Sequence, residues 1–452
     1  MDIAEAVGRA QQAIGTKRYG EADGICRDIL AVDPGNLAAR GLRGAIAAVA
    51  GQVPQAIALL ESVVSADPGN AAWCSTLCDL YRMLYRLDDS LAIGLKGLQL
   101  APPTSAALIS LAKTYTDLGR FDEALAHFLA CLSLKPDDAN AHLGVAQILL
   151  ARGEFRPGWI EYEWRNRLDQ AVGSVPHMNA PVWNGMTHPD GRILLIGDQG
   201  YGDTLQFARY IPLVAARCKE VLLAGAQDLL GLLQHVDGVG RVFHEWKAVP
   251  SFTSYARLSS LPYILGTDLS NIPGKTPYFF ADEARVGAWQ ARLQTLPQGA
   301  RRVGIFWSGR PAHPNNSRRS VKLAQFRPLA SIPGVTLVSL QKEVPPDEAA
   351  ELAGFPNLTD MSAHLTDFEE TAALISNLDL VITVDSAVGH LAGALGKPVW
   401  LLTPTPADWR WLLDRDDTPW YPSMRLFRQP APGAWNLVFE AIATALRRSV
   451  LV

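Results

Sequence analysis

Several features are scarce in this 452-residue chain, and each scarcity excludes a class of protein. Basic residues do not outnumber acidic ones: there are 41 Lys and Arg against 45 Asp and Glu, and the formal net charge is −4. The chain therefore lacks the electrostatic footprint of a nucleic-acid-binding protein. Its longest apolar runs, such as residues 222–226, are too short to span a bilayer, and no basic stretch followed by an apolar run opens the chain. We expect no membrane span, no signal peptide and no nucleic-acid partner.

Cysteine is also rare. There are five cysteines, an odd number, and four of them lie in the first 131 residues. Cys74 and Cys78 are four residues apart on a predicted helix, a spacing that would suit a metal pair, but no His or Cys partner lies at ligand spacing. We favour buried small side chains over a metal site, and a reducing cytoplasm as the compartment.

Proline, in contrast, recurs at a fixed interval of 34 residues. The four positions are Pro34, Pro68, Pro102 and Pro136. Small residues recur in the same register at Ala22, Ala56, Ser90 and Ala124, and the turns between helices carry Gly51, Gly119 and Gly153, with Tyr85 in the remaining slot. A fixed period of this length predicts helix pairs that stack on their neighbours to bury an apolar face.

This pattern resembles the tetratricopeptide repeat. We expect four full repeats from about Asp2 to Asp138 and a fifth, divergent helix pair from Ala139 to about Asn166, which gives a repeat domain over residues 1–168. The aromatic segment Trp159–Arg165 is predicted to pack on the next domain. The resemblance implies a concave groove that holds a peptide or a protein; a spacer or a dimerisation arm is the alternative.

The pattern changes after a linker at residues 175–191. Short apolar runs now alternate with Gly-rich loops and helical stretches, which predicts parallel, doubly wound sheets. The predicted strands are residues 192–196, 221–224, 242–243, 303–307, 335–339, 380–384 and 399–402. We expect two Rossmann-like domains that face each other across a cleft, at 175–298 and 299–452, the second closed by a helix from Trp435 to Leu446. Ligands of such sheets bind beyond the carboxyl ends of the strands.

Three loops at strand ends are candidates for binding or chemistry. In the first, residues 197–204, Gly200 and Gly202 allow close backbone approach. Its carboxylates, Asp198 and Asp203, would repel a phosphate, so this loop suits a hydroxyl or a sugar, and one of them could take a proton from an attacking hydroxyl. A helix N-cap is the alternative role for Asp203.

The second and third loops suit an anion. The second, residues 307–320, holds three arginines and three serines, among them Ser308, Arg318, Arg319 and Ser320. Arginine forks and hydroxyls bind phosphate well, although a solvated loop is the alternative. The third, residues 385–398, leads from a strand through Asp385 and Ser386 into a helix of small residues that includes Gly389, whose amides are free to bind phosphate. His390 in that helix is either a core residue or a ligand contact.

These residues carry a further resemblance. Asp385-Ser386-x-x-x-His390-Leu391-Ala392-Gly393-Ala394, followed by Lys397-Pro398-Val399, is similar to the donor-site segment of family 9 glycosyltransferases, the heptosyltransferase-like group, and Gly202-Asp203 looks like the acceptor-side Gly-Asp of that family. The resemblance covers most of residues 190–430 and implies the two-Rossmann GT-B fold. The second loop carries arginines where heptosyltransferases have a lysine, so heptose is not assumed as the sugar.

The resemblance also implies roles for individual residues. Asp203 would be the general base of an inverting, metal-independent transfer, with Gly200, Gly202 and Asp198 in the acceptor loop. The donor would be bound by Ser308, Arg318, Arg319, Ser320, Asp385, Ser386, Gly389 and His390. No cofactor is implied, because the nucleotide sugar is a substrate.

A repeat array ahead of such a module resembles bacterial protein glycosyltransferases, including those that modify flagellin. We therefore expect a cytoplasmic enzyme that moves a sugar from a nucleotide sugar to a Ser or Thr hydroxyl of a protein, such as flagellin, held by the array. One alternative is a lipopolysaccharide-type glycan as acceptor. The other is a non-catalytic scaffold that senses a nucleotide sugar.

Two C-terminal features remain. Trp409, Trp411 and Trp420 lie in loops after the last predicted strand, where they could stack on a base or a sugar, or else pack as a lid or a hinge. Asp414-Arg415-Asp416 matches a D-x-D metal motif. We interpret that match as accidental, because enzymes that resemble GT-B neutralise the leaving group with cations and dipoles of the protein.

Overall fold

The computed structural model describes residues 2–168, 175–176, 178–311 and 315–450. Residues 312–314 of the second predicted loop therefore lie outside the described residues. By their contacts, the residues form two compact units, 1–148 and 149–452. The second unit thus begins within the last predicted helix pair. None of the helices in these described ranges has the length and apolar character needed to cross a bilayer.

The first unit consists of helices. Several begin at a capping side chain: Asn36 Oδ1, for example, accepts a hydrogen bond from the backbone N–H of Ala39 at 2.9 Å. The helices are α1 (Ile3–Gly15), α2 (Tyr19–Val32), α3 (Leu37–Val49), α4 (Val53–Ala66), α5 (Cys74–Met83), α6 (Leu87–Leu100), α7 (Ser105–Asp117) and α8 (Phe121–Leu134); α9 (Ala139–Ala151) spans the boundary between the units.

The 34-residue register is visible in the backbone. The turns between paired helices each contain a residue in the left-handed region, with φ between 60° and 79°: Lys17, Gly51, Tyr85, Gly119 and Gly153. The small residues at the helix contacts are fully buried: Ala22, Ala56, Ser90 and Ala124. The four predicted repeats are confirmed as the pairs α1–α2, α3–α4, α5–α6 and α7–α8.

Two parallel sheets dominate the second unit. The four-stranded sheet has the order β3-β2-β1-β4 and the six-stranded sheet the order β10-β9-β8-β5-β6-β7. The strands are β1 (His188–Ile196), β2 (Cys218–Ala224), β3 (Val239–Phe243), β4 (Ser254–Arg257), β5 (Arg301–Phe306), β6 (Val335–Ser339), β7 (Leu358–Thr359), β8 (Leu380–Val384), β9 (Val399–Thr403) and β10 (Met424–Arg428). We call the parts built on these sheets the first and the second lobe.

Both sheets are doubly wound, as predicted. In each, the first strand pairs with the second strand on one side and with the fourth strand on the other, so the switch point lies between β1 and β4 and between β5 and β8. Ligands of such sheets bind at the switch point, beyond the carboxyl ends of the strands. The helices are α10 (Phe155–Tyr162), α11 (Tyr201–Phe207), α12 (Ile211–Ala215), α13 (Leu230–Leu233), α14 (Leu261–Ile264), α15 (Glu283–Leu293), α16 (Asn316–Arg319), α17 (Arg327–Ala330), α18 (Ala349–Ala353), α19 (Phe368–Ser376), α20 (Ala387–Ala394) and α21 (Trp435–Val450).

The helices near the two ends of the second unit, α10 and α21, both pack into its core. Trp159 of α10 is 1% exposed, and its ring contacts the rings of Phe207 in the first lobe and Trp409 in the second. α21 packs on the six-stranded sheet, where Phe439 and Ile442 join its core. The helix α10 is therefore part of the core of the second unit.

All five cysteines are free, and four are buried. Cys78 Sγ lies 3.3 Å from the Ser90 hydroxyl and 3.4 Å from the Thr114 hydroxyl, in a small polar cluster inside the array. Burial raises the pKa of every thiol, to about 11 for Cys26. The described residues contain no cluster of three or more His, Cys, Asp or Glu side chains that could hold a metal ion.

Candidate functional site

The first predicted loop connects β1 to α11. Gly200 is the N-cap of α11, and Asp203 is the third residue of that helix. Asp203 Oδ2 accepts a hydrogen bond from the backbone N–H of Gly200 at 3.0 Å. The Asp203 carboxylate is therefore fixed at the start of the helix, although the N-cap position itself belongs to Gly200.

The other oxygen of Asp203 faces the second lobe. Asp203 Oδ1 accepts a hydrogen bond from Nη2 of Arg410, and the two form an ion pair. The Asp203 side chain remains 18% exposed. Burial raises the pKa of Asp203, while Arg410 and the Gly200 N–H act in the opposite direction. Asp203 is thus a partly accessible carboxylate whose basicity is increased by its surroundings.

The loop's second carboxylate has a different environment. Asp198 accepts hydrogen bonds from the Ser259 hydroxyl at 2.5 Å and from the Ser259 N–H at 3.2 Å, and it lies 3.9 Å from Nη2 of Arg165. Its side chain is only 4% exposed. These contacts join the ends of β1 and β4, so Asp198 supports the loop from within the protein.

The second predicted loop follows β5. The Ser320 hydroxyl accepts a hydrogen bond from the Gly309 N–H at 3.1 Å and donates one to Asn316 Oδ1 at 2.9 Å. Ser308 is held through its backbone, because its N–H donates to Gln341 Oε1 at 3.1 Å and its carbonyl accepts from Gln341 Nε2 at 2.8 Å. These bonds fold the loop back on itself at the carboxyl end of the strand.

Two of the loop's three arginines extend from the short helix α16. The backbone N–H groups of Arg318 and Arg319 both lie 3.2 Å from the carbonyl of Asn315. The Arg319 guanidinium packs against Gly309 so closely that a Cβ there would lie 2.8 Å from its Nη2 atom. Arg319 Nε is buried and has no hydrogen-bond partner among the described residues. This loop therefore offers a cation with unused hydrogen-bonding capacity.

The third predicted loop connects β8 to α20. The Ser386 hydroxyl caps α20 by accepting from the Gly389 N–H at 3.4 Å, and it lies 3.0 Å from the Thr383 hydroxyl. Gly389 is needed for packing, since a Cβ there would lie 3.1 Å from Leu401 and 3.2 Å from Thr383. One lone pair of the Ser386 hydroxyl oxygen is therefore already used by the Gly389 N–H.

Asp385 is the charged residue of this loop. Burial and the carboxylate of Asp408 raise its pKa to about 6, whereas Trp411, Arg319 and Arg410 lower it. β5 and β8 are paired neighbours, with Phe306 opposite Thr383, so the second and third loops leave the sheet at adjacent strand ends. The predicted donor residues of both loops are therefore neighbours.

His390 lies where the two lobes meet. Its ring stacks on Trp411 at 5.3 Å between centroids, and its Nδ1 lies 2.8 Å from the Tyr421 hydroxyl. The residue is 4% exposed. Burial and the charges of Arg410, Arg209 and Arg319 lower the pKa of His390 well below its ordinary value, so the imidazole is neutral. His390 is a packed residue of the interface, and Gly202 of the first loop lies directly against it.

Comparison with known proteins agrees with this arrangement. The profile of glycosyltransferase family 9 (heptosyltransferase) matches residues 348–408, which include β8, α20 and β9. Tetratricopeptide repeat profiles match residues 13–73 and 109–155. The chain carries tetratricopeptide repeats and a glycosyltransferase family 9 domain.

One curated relative is consistent with this result. The chain is 30% identical over 329 residues to Protein FlbA of Caulobacter vibrioides, an alignment that covers 67% of this chain and 54% of the relative. The chain therefore spans about half the length of the curated relative it matches.

Two solved structures are also similar to part of the chain. A thermophilic tetratricopeptide repeat protein of Thermus thermophilus is 19% identical, with a TM-score of 0.33, and the match covers 38% of this chain and 93% of that protein. The pilF protein of Pseudomonas aeruginosa is 15% identical, with a TM-score of 0.35, and the match covers 47% of this chain and 83% of that protein.

The tryptophans next to the family 9 segment are buried. Trp409, Trp411 and Trp420 are 4%, 0% and 0% exposed, and Trp409 and Trp420 contact Trp159. Of the two alternatives left open by the sequence, stacking on a ligand or packing inside the protein, this burial favours packing, because aromatic partners from α10 and both lobes cover the three rings. They pack between α10 and the two lobes. Asp414 and Asp416 of the D-x-D match are exposed.

Sequence reasoning missed two buried arginines next to the candidate site. Arg410 is 9% exposed and pairs with Asp203. Arg209 is 3% exposed and donates to the Trp420 carbonyl at 2.6 Å and to the Tyr278 hydroxyl at 3.1 Å. The sequence did offer a signal for Arg410, which lies between Trp409 and Trp411. Large apolar neighbours on both sides favour burial, and a buried cation needs an acidic partner.

Proposed function

We propose that this protein is a glycosyltransferase that moves a sugar from a nucleotide-sugar donor to a Ser or Thr hydroxyl of a protein acceptor held by the repeat array, in a cytoplasmic, metal-independent reaction that inverts the anomeric centre. The proposal is supported above all by the placement of the first loop. Asp203 follows the switch-point strand of the first lobe, and its helix packs on α20, which begins at the donor-type loop of the second lobe.

Asp203 supplies the base in this reaction. The acceptor hydroxyl gives its proton to the Asp203 carboxylate as its oxygen forms a bond to the anomeric carbon. The bond from that carbon to the nucleotide phosphate breaks on the opposite face, and the nucleotide leaves with the electron pair. A carboxylate whose pKa is raised by burial is better matched to this task than a fully solvated one.

The second and third loops bind the leaving nucleotide. Arg319 and Arg318 provide positive charge next to the switch point, and the amides at the start of α20 provide hydrogen-bond donors. In this proposal Asp385, whose pKa is raised to about 6, accepts a hydrogen bond from a sugar or ribose hydroxyl. These groups stabilise the negative charge that develops on the phosphate as the glycosidic bond breaks.

The test is a panel of UDP-, GDP-, ADP- and CMP-linked sugars. A selectively bound donor raises the unfolding temperature by mass action, and that donor is then used in turnover assays. Asp203→Asn should reduce turnover by roughly 10²- to 10⁴-fold, the contribution expected of a general base, while donor binding is retained. Asp237→Asn, an exposed carboxylate of the same lobe, is the matched control and should be fully active. Wild-type turnover in Asp203→Asn would remove the base from the proposal.

A second candidate function is transfer to a glycan acceptor, which is favoured by the heptosyltransferase description of the matching family. The two candidates differ in what the array does. Fragment 149–452 retains the whole second unit, and its folding and donor binding are measured first. Transfer to a protein acceptor should then fall by roughly tenfold or more, equivalent to losing about 1.4 kcal/mol of acceptor binding, whereas transfer to a glycan should be spared.

A non-catalytic scaffold is separated from both by a donor-hydrolysis assay on the purified chain. A protein that binds a nucleotide sugar, yet neither transfers nor hydrolyses it under any acceptor condition, is a scaffold.

A further inference from the structure

Arg410 is a buried cation with acceptors in both lobes. Its Nη1 donates to Asp408 Oδ1 of the second lobe at 2.8 Å, and its Nε donates to Gln206 Oε1 of the first lobe at 2.7 Å. Its Nη2 donates to Asp203 Oδ1. The guanidinium also lies 4.2 Å from the centroid of the Trp409 ring. All three nitrogens of the planar fork are thus used, and two of the three partners belong to α11 of the opposite lobe.

The segment that carries Arg410 is held in an unusual conformation. Asp408 caps the short helical turn at Trp409–Trp411 by accepting from the Arg410 N–H at 3.0 Å. Leu412, directly after this turn, has φ 53° and ψ −173°, a region that residues other than glycine rarely adopt. Arg428 also holds the segment, because its guanidinium donates to the carbonyls of Trp411 at 2.5 Å and Arg415 at 2.6 Å. Backbone strain of this kind persists only where the surroundings impose it.

The contact with Arg410 opposes the effect of burial, which raises the pKa of Asp203. Its two oxygens accept from Gly200 N–H and Arg410, which leaves lone pairs on both oxygens for a proton. The other titratable groups that act on or respond to Asp203 are Asp408, Asp198 and Tyr162. Asp408 and Asp198 raise the pKa of Asp203, and Arg410 is the cation that opposes them. Burial lowers the pKa of Arg410, but Asp408 and Asp203 outweigh burial and raise it well above its ordinary value, so Arg410 stays charged.

We propose that Arg410 is a positioning residue for Asp203: supplied by the second lobe, it orients the carboxylate and keeps it ionised, so that the base is complete only when the two lobes are together. This inference rests on the proposed function, in which Asp203 takes the proton of the acceptor. In this role Arg410 acts through Asp203, since all three nitrogens of its guanidinium donate to protein groups.

Two substitutions with opposite expected effects test this role in the full chain. Arg410→Gln removes the cation, so the acid limb of the kcat/KM profile should move to higher pH, and turnover at neutral pH should fall by roughly 10²-fold, as a misplaced catalytic group does. Arg410→Lys keeps the charge but loses the fork, so its acid limb should stay closer to that of the wild type. Asp408→Asn removes a carboxylate that raises the pKa of Asp203, so its acid limb should move to lower pH.

Arg415→Gln is the matched control. Arg415 lies in the same segment, and its side chain pairs with Asp417 at the surface, so its removal should leave the pH profile unchanged. A merely structural role for Arg410 predicts a loss that is equal at every pH, and that result would overturn the inference. If Arg410→Gln does not fold, as judged by its unfolding temperature, Asp408→Asn decides: an unmoved acid limb overturns the inference.

Failure of this inference differs from failure of the proposed function. Wild-type turnover in Asp203→Asn would refute the base itself. An inactive Asp203→Asn combined with unmoved acid limbs in Arg410→Gln and Asp408→Asn would refute only the role of Arg410.

Discussion

Gly202 of α11 and His390 of α20 approach each other so closely that a Cβ on Gly202 would lie 2.9 Å from Cδ2 of His390. The imidazole has no room to retreat, because it stacks on Trp411 and lies 2.8 Å from the Tyr421 hydroxyl. A side chain at position 202 must therefore move α11 away from α20. The distance between α11 and α20, and so between the first and third loops, depends on this one missing methyl group.

Gly202→Ala should consequently reduce turnover by roughly 10²-fold, the loss expected when catalytic groups are displaced by about 1 Å. Donor binding, which depends on the second lobe, should change little. Gly287→Ala is the control, since a methyl group added to this helical glycine would meet nothing within 4 Å, and it should be neutral or stabilising by about 0.5–1 kcal/mol. Steady-state kinetics of both variants provide the comparison, and full activity in Gly202→Ala would show that the helices can separate freely.

Asp385→Asn should stabilise the protein at pH 8. The pKa of this carboxyl is raised to about 6 in the folded state, so its contribution to stability is present at low pH and is lost as the pH rises through that value. The side-chain amide of the Asp385→Asn variant does not ionise, so the variant keeps its stability as the pH rises. With about 1.4 kcal/mol per pH unit of pKa shift, we expect a gain of about 1–3 kcal/mol in unfolding free energy at pH 8 and almost none at pH 4.

Denaturant unfolding at both pH values checks this prediction. Asp237→Asn, an exposed carboxylate, should show no such pH-dependent gain. Equal stability of Asp385→Asn and the wild type at pH 8 would mean that the ionised carboxylate is well solvated.

Trp159→Ala should destabilise the second unit by about 3–5 kcal/mol, the usual effect of removing a buried large side chain. Trp159 is 1% exposed and contacts rings from both lobes. Trp246→Ala, at a site that is 39% exposed, should change the free energy of unfolding by less than about 1 kcal/mol. Thermal unfolding of fragment 149–452 isolates the effect, and a small loss for Trp159→Ala would show that α10 is dispensable for this unit.

Lys17→Gly should stabilise the repeat array. Lys17 has φ 60° in a turn whose equivalents at positions 51, 119 and 153 are glycine, and a left-handed conformation costs other residues roughly 1–2 kcal/mol. Glycine loses more conformational entropy on folding than lysine, which offsets part of this energy. The net gain in the free energy of unfolding is up to about 1 kcal/mol. Lys17→Ala keeps the Cβ and should give no gain, so equal stabilisation by Ala and Gly in denaturant unfolding would contradict this explanation.

The architecture was largely predictable because its signals are local. The array follows from a period repeated along the chain, and β6 and β8 match their predicted bounds because they are short, fully buried apolar runs. β4, β7 and β10 were missed for physical reasons, and β7 has only two residues. Ser254–Arg257 becomes a strand through its pairing with β1, and Met424–Arg428 is an edge strand that pairs only with β9 among the described strands.

The site was predictable in part. The three loops could be located because they follow buried strands, and a doubly wound sheet brings such loops to one edge. The ion pair between Asp203 and Arg410 could not, because it joins residues that are 207 positions apart in the chain. The packing of the tryptophans likewise depends on α10, which the sequence assigns to the repeats. Whether the predicted residues bind donor and acceptor stays a prediction.

The state of the cysteines makes the molecule convenient for spectroscopy. A thiol reacts as its thiolate, and burial keeps all five in the protonated form near neutral pH. A maleimide dye should therefore attach first to a cysteine introduced at an exposed position such as 237 or 440. A dye pair at these two positions, one in each lobe, would report by energy transfer whether the distance between the lobes changes when a nucleotide sugar is added.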